Sequence, residues 1–82
     1  MYWYQFIPPE DAKRVVKGLS YRSPVLAAMV FPRVLNFAKT VRAALDSGIS
    51  ADFVTESVVE CYGMTARDAA SAVQFIGEFF AE

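Results

Sequence analysis

The chain has 82 residues, of which 55% are hydrophobic and 15% aromatic, with one cysteine, no histidine and a formal net charge of −1. A chain of this length makes one small domain that hides only about 60–65% of its unfolded surface, so this much apolar material predicts a leftover sticky patch. The lone Cys61 excludes a disulfide framework and fits a reducing, cytoplasmic setting, and the absence of histidine removes the commonest general base and metal ligand.

In chain order, Met1 to Ile7 (MYWYQFI) is aromatic and β-branched, which favours an extended strand or arm over residues 1–7. Both of its faces are apolar. It is expected to fold over its own core or to be exchanged with a partner.

Pro8-Pro9-Glu10-Asp11 opens the first helix. A proline loses no bond in the first turn, and the carboxylates favour the positive end of the helix dipole. Ala12, Val15, Val16 and Leu19 fall on one face, and Gly18 is placed to end the helix, leaving Leu19 to Arg22 as a connector.

Ser23-Pro24 is a second start signal. The apolar run Val25 to Phe31 favours a helix through Ala27, Ala28 and Met29, broken or kinked by Pro32. Residues 24–47 therefore form one kinked helix or two segments, and two are expected. Beyond Pro32, Val34, Phe37, Ala38, Val41 and Leu45 make a stripe that stops at Ser47-Gly48.

Ser50 caps the next helix, whose apolar face carries Val54, Val58, Cys61 and Tyr62, widened by Phe53, with Glu56 and Glu60 facing out. Cys61 on that face is expected to be a plain core residue. Gly63 suits a left-handed helix end, and Thr65-Ala66-Arg67-Asp68 resembles a capping box with Asp for Glu. Ala69, Ala72, Val73, Ile76 and Phe80 form the last stripe, with Phe75 and Phe79 beside it. Gly77 within it suggests either a close helix crossing or mere tolerance.

The fold class is accordingly all-α. A bundle of four or five short helices carries an extended aromatic arm and a C-terminal αα-hairpin of helix-turn-helix-like spacing. The arm spans residues 1–7 and the helical core residues 8–82. No segment is apolar enough over a sufficient length to span a bilayer, since the run ending at Pro32 is closed by Arg33, and no secretory signal is visible.

Charge divides unevenly. Residues 1–44 carry Lys13, Arg14, Lys17, Arg22, Arg33, Lys39 and Arg42 against Glu10 and Asp11, a net of +5. The remainder carries Arg67 against Asp46, Asp52, Glu56, Glu60, Asp68, Glu78 and Glu82, a net of −6. Three consequences are open: a mixed surface on one globule, self-association through the charge dipole, or an anionic partner for the basic half.

No catalytic, cofactor-binding or metal-binding set can be assembled, and no cofactor is implied. Glu56 and Glu60 share a face, as carboxylates on solvated helices commonly do. In the hairpin, the second helix offers Thr65, Arg67, Asp68, Ser71 and Gln74 where a DNA reader needs mostly basic contacts, and one arginine amid acid argues against entry into a groove. The expected function is that of a non-enzymatic accessory or regulatory protein that docks on a protein partner or on itself, a dimer being the favoured homo-oligomer. Tyr2, Trp3, Tyr4, Phe6, Phe75, Phe79 and Phe80 are the expected docking residues. The alternative is a nucleic-acid-binding regulator using Lys13, Arg14, Lys17, Arg22, Arg33, Lys39 and Arg42 as contacts to an anionic partner.

Overall fold

The computed structural model describes residues 7–81. Five helices and no strand occupy them: α1 Pro9–Ser20, α2 Pro24–Ala27, α3 Phe31–Asp46, α4 Ala51–Tyr62 and α5 Ala66–Phe79. Of the expected 1–7 arm only Ile7 lies within the described residues, and it is buried just before α1.

The start signals act through local hydrogen bonds. The Ser23 hydroxyl accepts from the Val25 and Leu26 amides at 3.1 and 3.4 Å, Ser50 from Phe53 at 3.2 Å and Thr65 from Asp68 at 3.1 Å. Each bond satisfies an amide that the first helical turn leaves without a partner. At the other end of α4, Gly63 takes a left-handed φ of 69° and its amide reaches Val59 O. Gly48 does likewise after α3 with φ 91°, and the Ile49 amide closes the turn on Ala44 O at 3.2 Å.

Three expectations about α1–α3 are corrected. α1 does not stop at Gly18 but runs to Ser20, so the connector is Tyr21–Ser23. Gly18 is needed for space: a Cβ there would stand 2.3 Å from Cζ of Phe75. Pro32 breaks nothing. α3 starts one residue earlier, at Phe31, and the ring of Pro32 sits in the first turn, where no amide is required. The run Val25 to Phe31 forms only the single turn Pro24–Ala27: Leu26 alone of it is fully buried, Val25 and Met29 pack only in part against the core, and Ala27, Ala28 and Val30 are exposed.

The core is one cluster. Val15 and Leu19 of α1, Leu26 of α2, Val34, Phe37, Ala38 and Val41 of α3, Val54 and Val58 of α4, and Ala69, Ala72, Val73 and Ile76 of α5 close on one another. Met64, in the Gly63-Met64-Thr65 turn, plugs the end of the α4–α5 pair. α5 is the shared wall, packing on α1, α3 and α4. No helix among the described residues is long and apolar enough to cross a membrane.

Candidate functional site

Two surface features stand out, and both grow from apolar arcs wider than their neighbours can cover. The first is a groove of about 210 Å³ between α3 and α4. Phe37, Val41 and Ala44 of α3 form one wall, and Val54, Val58, Cys61 and Tyr62 of α4 the other. The Tyr62 ring stands edge-on to Phe37 at 5.0 Å. At the lip, Ile49 is 42% and Phe53 60% exposed. The apolar arc on α4 runs from Phe53 through Val54 and Val58 to Tyr62. α3 and α5 cover its Val54–Val58 centre and leave the Phe53 and Cys61 edge in solvent.

Cys61 is therefore exposed, which overturns its expected place in the core. Its position on the arc was correct, but the arc is broader than the buried strip. Phe53 likewise belongs to the lip of the groove rather than to the core. The sequence carried only half of the signal, five apolar residues on one face of a twelve-residue helix; that α3 and α5 are the helices that pack on it is a tertiary fact.

The second feature lies along α5. Phe75, Phe79 and Phe80 form a continuous row, with ring centroids 5.7 Å apart for the first pair and 4.9 Å for the second. All three are half-buried against the core. Each carries an arginine: Arg22 over Phe75 at 4.4 Å, Arg14 over Phe79 at 5.3 Å and Arg42 over Phe80 at 4.4 Å. A guanidinium on an aromatic face gains electrostatic attraction while its other side stays hydrated. Three of the seven basic residues from the first half thus converge on Phe75 and Phe79 of the last helix and on Phe80, which follows it. Arg14 also reaches Asp11, and Arg42 reaches Asp46, each at 3.8 Å.

The remaining expected contacts are dispersed. Lys13 and Lys17 stand exposed on the outer side of α1, Arg33 is exposed in the first turn of α3, and Lys39 is half-buried further along it. Tyr2, Trp3, Tyr4 and Phe6 lie outside the described residues. Reasoning from sequence missed Ile49, and it missed Tyr21, which is 78% exposed at the end of α1. Among the described residues no three His, Cys, Asp or Glu side chains converge as metal ligands. Comparison of the chain with protein-family models, with curated proteins and with solved structures found no match.

Proposed function

We propose that this chain is a non-enzymatic docking protein, an accessory or regulatory factor that works by holding another polypeptide against the α3–α4 groove. The observation that carries this reading is the exposed pair Ile49 and Phe53 at the lip of an apolar groove of about 210 Å³. An apolar cavity of about 150 Å³ already takes up benzene, so the groove has room for an aromatic or branched side chain. Contiguous apolar surface on a small domain costs solubility unless a partner covers it. In the same reading residues 1–7 form an extended aromatic arm that enlarges the docking surface. The α4–α5 pair is helix-turn-helix-like in spacing but meets protein, because its exposed side carries Asp52, Glu56 and Glu60.

A native-state titration with bis-ANS, an apolar fluorescent probe, tests the reading. Saturable enhancement by the wild-type chain and its loss in Phe53→Asp, with unchanged far-UV circular dichroism, is the expected result. Equal enhancement by both chains removes the groove as the docking site.

A second reading has one observation behind it. The arginine–phenylalanine row offers cations beside ring faces, the pairing that single-stranded nucleic acids use. The rings are already capped by the guanidinium groups, which makes this the weaker reading. Fluorescence polarisation with single-stranded and duplex oligonucleotides at low salt decides it. Binding that falls steeply with added salt and is lost in Arg22→Ala favours the row.

A further inference from the structure

The docking reading leaves the occupant of the groove unnamed, and the charge pattern of the surface supplies one. On α1, Lys13, Lys17 and Tyr21 recur every fourth residue, and Tyr21 keeps helical geometry at φ −78° and ψ −14°. The three side chains therefore make one stripe about 12 Å long, with two cations followed by an apolar knob. Tyr21, at 78%, is the most exposed of the large apolar side chains among the described residues. On α4, Asp52, Glu56 and Glu60 recur at the same interval, all exposed. Each is followed by a residue of the groove: Phe53, Ser57 and Cys61. No basic residue occurs between Ser47 and Ala66 to neutralise that stripe. Neither lysine and none of these carboxylates is in an ion pair among the described residues, and Tyr21 does not line the groove of its own chain.

Building on the docking reading, we propose that the occupant is a second copy of this chain. Its α1 lies along α4, with Tyr21 in the α3–α4 groove and Lys13 and Lys17 against Asp52, Glu56 and Glu60. The two stripes match in length and interval, and the two cations of one are opposite in charge to the three carboxylates of the other. The knob is an amphipathic ring whose body suits an apolar wall and whose hydroxyl can remain at the wet rim. Charge pairing at the rim orients the encounter and makes it sensitive to salt, while burial of the ring holds the complex.

Because knob and groove are different surfaces, variants that each lack one of them complement one another. Sedimentation of the full chain from micromolar to millimolar concentration, at low and high salt, reads this out. The expected result is concentration-dependent association that weakens at least tenfold in high salt. Tyr21→Ser and Phe53→Asp should each be monomeric and folded by circular dichroism, and their equimolar mixture should regain a heterodimer. Lys17→Glu should weaken association at least tenfold in low salt, mixing it with Glu56→Lys should restore it, and the chain carrying both substitutions should associate again; failure of both to restore it overturns the pairing. Ile49→Ser replaces Phe53→Asp if the latter unfolds. A wild-type chain that stays monomeric at millimolar concentration overturns the proposal, and if it still binds bis-ANS through Phe53 the docking reading stands without it. Association that survives Tyr21→Ser and is lost in Trp3→Ser also overturns it, in favour of the N-terminal arm.

Discussion

Gly18 and Gly77 both sit inside helices, where glycine costs about 1 kcal/mol relative to alanine, yet their surroundings differ. At Gly18 a methyl group would lie 2.3, 2.8 and 2.9 Å from three atoms of the Phe75 ring, which is itself held by Arg22 and Phe79. At Gly77 the nearest atom is Leu45 Cδ1 at 3.7 Å, an ordinary contact in an open depression, so of the two alternatives mere tolerance holds there and the close approach lies at Gly18. Gly18→Ala is expected to destabilise by about 1 kcal/mol or more, the displaced ring outweighing the gain in helix propensity. Gly77→Ala is expected to stabilise by about 0.5–1 kcal/mol. Urea denaturation of the two variants measures both signs, and a gain for both would mean that the Phe75 ring swings freely. At Cys61, exposure sets the expectation: a thiol reagent should modify the native chain within a few-fold of the rate for the urea-unfolded chain. Strong protection in the native state would put the side chain back in the core.

Among the elements, α2 shows most plainly how little local propensity contributes alone. A single turn cannot sustain itself, since nucleation is unfavourable and few bonds follow. Pro24–Ala27 is held by the buried Ser23 cap at one end and by Leu26, wholly enclosed between its neighbours, in the middle. Ser23→Ala should cost about 1 kcal/mol through the lost cap, and Leu26→Ala about 2–5 kcal/mol through lost burial and a residual cavity. The two losses should be less than additive, because removing Leu26 already frees the turn that Ser23 caps. Thermal or urea unfolding of both single variants and the double variant checks this, and simple additivity would show that the cap and the anchor act independently.

For the whole molecule, stability rests on a core whose largest fully buried side chain is Phe37. That ring packs inward from α3, meets Tyr62 edge-on and forms part of the groove wall. Phe37→Ala is expected to cost about 3–5 kcal/mol, against a total of about 5–15 kcal/mol for a small domain. The loss of most of the urea midpoint in circular dichroism is the expected measurement. An unchanged midpoint would mean that the bundle does not depend on the α3–α4 contact. Groove and core therefore share one wall, and only lip residues such as Phe53 and Ile49 can be altered to test docking without testing folding as well.

Sequence alone settled where most helices begin and where α3 and α4 end, because caps and turns are local: Ser23, Ser50, Thr65 and Gly63 each act on amides or carbonyls within four residues. The apolar stripes of α3 and α5 were legible for the same reason, since one period fixes which side chains share a face. How much of each face is covered was decided only by tertiary packing, which depends on the neighbours that residues far along the chain provide. Cys61 and Phe53 stayed in solvent because the arc on α4 exceeds what α3 and α5 hide. Gly18 met Phe75, and three arginines met three phenylalanines, because α1, the connector after it and α3 come together in space with the end of α5, tens of residues away along the chain.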